Sequence, residues 1–249
     1  MAGRWLHSAS WSEADWPCAS VRFAVHAGTE GATLRVSWDG VRTRIRARVS
    51  SAGGEHASSI WEGPELHEPF HSTHANPLLL PPGRSLVSLR KLGSATPYST
   101  GIASTLFRPS LFRFRGLKLV SGHASVELPH PLPVRHLEMI GASDSAGYCV
   151  DGTPSMNSIE SELFGWRYSD CDGTAAAELA RRLNASLSVQ ALPGSGLTQN
   201  ANARKKWQMG TQTMADLYTR TLQTNASSHW NVSAHAVPQV RLVPRALLF

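Results

Sequence analysis

The sequence predicts an all-β sandwich over residues 1–130, followed by an α/β domain with a parallel sheet over residues 134–249. Three observations carry this. The first half alternates apolar and polar residues with period two, in short runs separated by turn residues. A stiff connector, Pro129-His130-Pro131-Leu132-Pro133, then marks a domain boundary. Beyond it the pattern changes to strand, helix, strand, which implies parallel pairing.

In the first half, residues 21–25 and 33–38 alternate as half-buried strands do, with Gly28-Thr29-Glu30-Gly31 as a turn between them. Asp39-Gly40 opens the next turn. Val41, Thr43, Ile45, Ala47 and Val49 then alternate with Arg42, Arg44, Arg46 and Arg48. The arginine face could hold an acidic glycan, but the expectation is a solvated outer face. Residues 50–76, rich in Ser, Gly, His, Glu and Pro, read as a loop. His67, His71 and His74 inside it have a spacing that could bind zinc on a helix, yet Pro69 interrupts the segment and no metal site is expected. Residues 78–92 read as strand, turn, strand, and residues 111–119 alternate again. Many short strands with turns between them make a sandwich. Trp11, Trp16, Trp38 and Trp61 could stack on sugars, although in a sandwich most would be core.

Past the connector, Val134, Leu137, Met139 and Ile140 make a strand that stops at Gly141, followed by Ala142 and Ser143. A buried strand ends this way at the carboxyl edge of a parallel sheet, where such sheets bind their ligands. The backbone must bend sharply there while the serine stays exposed, hence the small residues. On its own the pattern fits a helix N-cap equally well. Residues 172–183 read as a helix, with Leu179 and Leu183 on one face and arginines in its last turn. Residues 187–192 form a second strand, followed by Pro193-Gly194-Ser195-Gly196-Leu197. Residues 199–224 fit helix and loop, including Met214-Ala215-Asp216-Leu217-Tyr218, residues 225–235 read as a polar loop, and residues 239–243 begin a third parallel strand.

Composition bounds the function classes. The chain has 249 residues, a net charge of +6 and a pI near 9.6. Acidic partners such as uronic-acid-bearing polysaccharides suit that charge. The arginines are scattered and no nucleic-acid motif is present, so nucleic acid is not an expected partner. No run of 18 apolar residues occurs, so no membrane span is expected. The N-terminus has no apolar signal core, whereas the sequons at Asn184, Asn225 and Asn231 hint at secretion, leaving the localisation open. Of the three cysteines, Cys149 and Cys171 flank the segment after Ser143. Oxidised, they would close a short loop, with Cys18 left over, for a gain on the order of 3 kcal/mol. Three free thiols are the alternative.

The run Ile140-Gly141-Ala142-Ser143-Asp144-Ser145-Ala146-Gly147-Tyr148-Cys149-Val150-Asp151-Gly152 resembles the first block of the SGNH (GDSL-type) hydrolases, in which the serine is the nucleophile. The likeness is nearest to carbohydrate esterase family 2, two-domain acetyl-xylan-type esterases. Gly3-Arg4-Trp5, Asp15-Trp16-Pro17, the stretch at 82–92 and Phe114-Arg115-Gly116-Leu117 resemble, in that order, the family's N-terminal jelly-roll domain. Pro193-Gly194-Ser195-Gly196 resembles the second block, whose glycine offers its N–H to the oxyanion. Gly194 is the first choice for that role and Gly196 the second. The resemblance implies a jelly-roll-like sandwich joined to an α/β/α sheet of the SGNH type. It implies acyl transfer to Ser143 and then hydrolysis, with the oxyanion held by the Ser143 and Gly194 N–H groups. The implied substrate is acetylated plant-type polysaccharide or a small acetyl ester, with no cofactor.

The pattern also departs from the family. Ala142 stands where the family has Asp. There is no Gly-x-Asn after the third strand, no Asn-Asp dipeptide, and no Asp with a His three residues on. His229 and His235 are the only histidines after Ser143. The expectation is therefore an incomplete SGNH domain and a doubtful activity for this stretch. The alternatives are a non-catalytic carbohydrate-binding protein or a fragment or frameshifted gene product. Oligomeric state is left open.

Overall fold

In the computed structural model, the residues described are 1–40, 42–51, 54–63, 74–94, 110–128, 133, 135–152, 165–201, 212–231 and 240–242. Among the described residues eight strands precede the connector: β1 (Leu6–His7), β2 (Ser12–Ala14), β3 (Ser20–Asp39), β4 (Arg44–Ser51), β5 (Gly54–Glu62), β6 (His74–Leu80), β7 (Gly83–Lys91) and β8 (Phe112–Glu127). They form one antiparallel hydrogen-bonded set in the order β1-β2-β8-β3-β7-β4-β5, with β6 also paired to β3. One face is apolar. Val21 and Phe23 on β3 sit opposite Leu89 and Val87 on β7, which in turn sit opposite Ala47 and Val49 on β4. All six are buried, in a core with Leu34, Val36, Trp38, Ile45 and Phe112. Trp5 and Trp38 meet Phe112 edge-on, at centroid distances of 5.6 and 6.1 Å.

Two readings of this half need correction. Residues 28–31 do not reverse the chain, because β3 runs through them as a single 20-residue strand. They are absorbed as a bulge, with Ala27 opposite Ala124 and Ala32 already opposite Gly122. Gly31 has φ +75°, and a Cβ there would lie 2.6 Å from the Leu80 carbonyl oxygen. Residues 54–62 and 74–76, expected in a loop, are β5 and the start of β6, whose remainder includes the strand expected from residue 78. β5 is an edge strand exposed along almost its whole length, with Trp61 alone turned inward. Such a strand shows no apolar alternation to read.

Past the connector, of which Pro133 alone is among the described residues, come β9 (Arg135–Gly141), α1 (Ser143–Ala146), α2 (Ala175–Arg182), β10 (Ala185–Ala191), α3 (Met214–Tyr218) and β11 (Val240–Leu242). β9 is central, with β10 and β11 parallel on either side, so the third parallel strand is present. The molecule is mostly antiparallel sheet with few helices and a small parallel sheet. α2 begins later than the sequence suggests because Thr174 caps it, accepting the Ala177 N–H at 3.3 Å. Its small face, Ala176, Ala177 and Ala180, packs with Leu137, Leu187 and Val189. No helix among the described residues is long and apolar enough to cross a membrane.

Candidate functional site

The parallel register puts Ala191 beside Gly141, so β9 and β10 end level and their exit loops leave the same sheet edge. Ser143 is the first residue of α1 and is exposed. Its carbonyl accepts the Tyr148 N–H at 2.9 Å, while its hydroxyl has no hydrogen-bond partner among the described residues. Gly141 is required by close packing: a Cβ there would fall 2.1 Å from the Ser145 Oγ. Ser145 is buried and gives its N–H to the Asp144 carboxylate at 2.8 Å. The two serines of the block are therefore not equivalent, since Ser143 faces outward and Ser145 wedges the turn.

In the loop after β10 the two glycines also separate. Gly196 gives its N–H to the Asn200 Oδ1 at 3.1 Å, so that group is already engaged. The Gly194 N–H donates to none of the described residues, and Gly194 has φ +76°. Asn200, buried, holds the loop a second time by donating to the Gln212 carbonyl at 2.8 Å. This loop organiser went unnoticed in the sequence, where an isolated Asn carries no signal.

The histidines are not brought to Ser143 by any observed contact. His229 is exposed and lines an open cleft of about 580 Å³ with Asp216, Thr219 and Arg220, a lining that does not include Ser143. His235, His67 and His71 lie outside the described residues, and His74 opens β6. Among the described residues no group of three or more His, Cys, Asp or Glu could hold a metal.

The arginine face of β4 is not a solvated outer face, and here the sequence expectation is corrected. Arg46 donates to the Asp170 carboxylate at 2.7 and 3.1 Å and to Asp172 at 2.9 Å. Arg48 lies 3.3 Å from Asp172, and Arg90 of β7 donates to the same carboxylate. Arg44 reaches Asp151 and the Ser169 carbonyl, both at 3.1 Å. Burial alone would raise the Asp172 carboxyl, but Arg90, Arg48 and Arg46 outweigh it and hold the group below the usual carboxylate range. This acidic segment braces the serine turn. The Gly147 carbonyl accepts the Asp170 N–H at 2.8 Å, and Gly147 ends α1 at φ +72°. The chain of contacts thus runs from β4 and β7 through Asp170 and Asp172 to the turn that holds Ser143.

The disulfide is also corrected. Cys171 pairs with Cys18, at a Cα–Cα distance of 5.7 Å, and Cys149 is free. Cys171 faces the antiparallel sheet because its N–H bonds to the Leu92 carbonyl at 2.8 Å, and the Cys18 N–H bonds to the Lys91 carbonyl at 2.9 Å. Cys149 sits instead in the tight turn after α1 with φ +57°. Other residues at the same junction come from the motifs read in the first strands. Arg4, fully buried, stacks its guanidinium on Trp16, Tyr218 and Trp230 at 4.5–5.8 Å from the ring centroids and meets Glu138 of β9 at 3.3 Å. Asp15 accepts the N–H groups of Gln223 and Thr224 at 2.9 Å each. Trp16, Trp38 and Trp61 are buried, as core residues should be, and Trp11 lies under the Arg113 guanidinium.

An antiparallel sheet docked on a small parallel sheet, with a serine on the exit turn of the central strand, defines a class of serine-bearing α/β proteins with a β appendage. No protein-family model matches the chain, and no characterised protein matches it in sequence. Solved structures do. A family two carbohydrate esterase from Clostridium thermocellum, in complex with cellohexaose, superposes with a TM-score of 0.72 at 23% identity, covering 97% of this chain and 63% of that one. A family two carbohydrate esterase from Cellvibrio japonicus gives 0.69 at 16%, with coverages of 94% and 60%. An acetyl xylan esterase from Butyrivibrio proteoclasticus gives 0.70 at 16%, with coverages of 98% and 60%. The chain therefore has the fold of the family two carbohydrate esterases, and it spans less than two thirds of the length of these structures.

Proposed function

We propose that the chain carries the nucleophile-bearing part of an SGNH-type serine esterase that removes acetyl groups from a polysaccharide or a related acetyl ester. It comprises a β domain over residues 1–130, read as a jelly-roll-like sandwich, and an SGNH hydrolase-type domain beginning at residue 134. The Ser143 hydroxyl oxygen attacks the acetyl carbonyl and gives up its proton, and the ester bond to the sugar oxygen breaks. The sugar leaves as the protonated alcohol, and water then releases acetate from the acetyl-serine. The negative charge that develops on the carbonyl oxygen is taken by the backbone N–H groups of Ser143 and Gly194. Gly196 drops out of the oxyanion set because its N–H is engaged with Asn200. The observation that carries the reading is the level ending of β9 and β10, Gly141 opposite Ala191, with an exposed serine on one exit loop and, on the other, a glycine whose N–H donates to none of the described residues.

A serine hydroxyl needs a base to become a good nucleophile, and the Ser143 hydroxyl has none among the described residues. Residues 1–249 by themselves should accordingly turn over slowly. The same observation favours a second reading, a carbohydrate-binding protein without ester turnover. Acetate release from acetylated xylan, measured beside binding to the deacetylated polymer, separates the two. Release that depends on Ser143 supports the esterase, and saturable binding with no release supports the second reading.

A further inference from the structure

The polar face of the antiparallel sheet holds more positive charge than the acidic segment neutralises. The pairing registers set Arg22 of β3 opposite Ser88 of β7, and Ser88 opposite Arg48 of β4. In the next row Arg90 lies opposite Arg46. Directly opposed like charges destabilise a sheet unless something compensates them. Asp170 and Asp172 do so for Arg46, Arg90 and part of Arg48, and Glu55 lies 3.5 Å from the Arg48 Nε. Arg22 has no such partner. It makes no hydrogen bond or ion pair with any described residue, and its Nε is buried. Burial and the neighbouring Arg90 both push its pKa down, against Asp172. Beside these side chains is a cavity of about 250 Å³, lined by five arginines (Arg22, Arg46, Arg48, Arg90 and, from α2, Arg181) against two carboxylates, Glu55 and Asp172, with Ser88 among the remaining lining residues. It lies where the antiparallel sheet meets the acidic segment and α2, and such junctions are common places for small-molecule sites.

We propose that this cavity binds the carboxylate of an acidic sugar of about one ring, with the Arg22 guanidinium as its fork, Arg48 being already engaged by Glu55 and Asp172. A guanidinium presents paired N–H donors that match a carboxylate bidentately. Ser88, between the two arginines in the same cross-strand row, offers a hydroxyl to the sugar. The volume falls below the about 300–1,000 Å³ of clefts that take larger ligands, so one sugar ring with its carboxylate is the size that fits. The incoming anion supplies the counter-charge that Arg22 lacks. This site does not depend on the esterase reading, since neither Ser143 nor Gly194 lines it.

The test is isothermal titration of the whole chain with D-glucuronate, methyl glucoside and inorganic phosphate at matched ionic strength. D-glucuronate should bind saturably and methyl glucoside should not. Arg22→Gln should weaken glucuronate at least tenfold with no change in the far-UV spectrum and no loss of ligand-free melting temperature, because Arg22 makes no hydrogen bond or ion pair with a described residue in the free protein. Arg22→Lys should fall between, keeping the charge and losing the fork. Absence of saturable glucuronate binding, equal affinity in Arg22→Gln, or tighter binding of phosphate than of glucuronate would each overturn the assignment.

Discussion

Arg46 on β4 grips Asp170 and Asp172 at once, at 2.7–3.1 Å, and through them the antiparallel sheet holds the turn on which Ser143 sits. Asp172 is 6% exposed and is met by Arg46, Arg48 and Arg90. Removing one partner of a buried ion pair leaves the others uncompensated, at a cost of about 3–5 kcal/mol. Asp172→Asn should lose stability on this scale in urea unfolding at neutral pH.

The same substitution has a signed pH dependence. The folded-state pKa of Asp172 is depressed. Its contribution is complete above the ordinary aspartate value, near 4, and is lost as the pH falls through the lower folded value, because the unfolded chain binds the proton first. The stability gap between wild type and Asp172→Asn should therefore be constant from about pH 5 to 7 and close below pH 4. A gap that widens on acidification would contradict the ion-pair account.

The Cys18–Cys171 disulfide spans 153 residues. Closing so long a loop is worth about 5 kcal/mol in chain-entropy terms, and native disulfides typically deliver about 2–5. Reduction or Cys18→Ser should lower unfolding stability within that range, whereas Cys149→Ser should leave it nearly unchanged. Non-reducing peptide mapping should recover Cys18 linked to Cys171, and a Cys149–Cys171 peptide would contradict the pairing.

Gly147 needs both its positive φ and its bare Cα. A Cβ there would lie 2.4 Å from the Asp170 carbonyl oxygen. Gly83 also has a positive φ, but nothing lies within 4 Å of a Cβ placed on it. Gly83→Ala should cost roughly the 1–2 kcal/mol of a left-handed residue. Gly147→Ala should cost clearly more, and should also lower any activity that depends on Ser143. Equal unfolding midpoints for the two variants would show that the approach of Asp170 to the turn is not needed.

Local patterns were legible in the sequence and long-range partners were not. The strand ending at Gly141, the glycine loop after the second strand and the third strand near Val240 each lie within a few residues of their own signal. The alternation of arginines with Ile45, Ala47 and Val49 told correctly which residues share a face. It could not say what covers that face, because Asp170 and Asp172 come from more than 120 residues further along. The disulfide failed for the same reason. Cys149 is nearer to Cys171 in sequence, but docking of the two sheets brings Cys18 to it. β5 gave no signal because an exposed edge strand has no buried side to alternate with.

The most direct test of the central claim is p-nitrophenyl acetate hydrolysis by wild type, Ser143→Ala and Ser145→Ala of the purified chain. The wild-type chain should show a slow rate above the uncatalysed blank. Ser143→Ala should lower it at least tenfold, about 1.4 kcal/mol of transition-state stabilisation, and Ser145→Ala should keep most of it. A wild-type rate that Ser143→Ala leaves unchanged, or that both substitutions reduce equally, would contradict the assignment of Ser143 as the nucleophile.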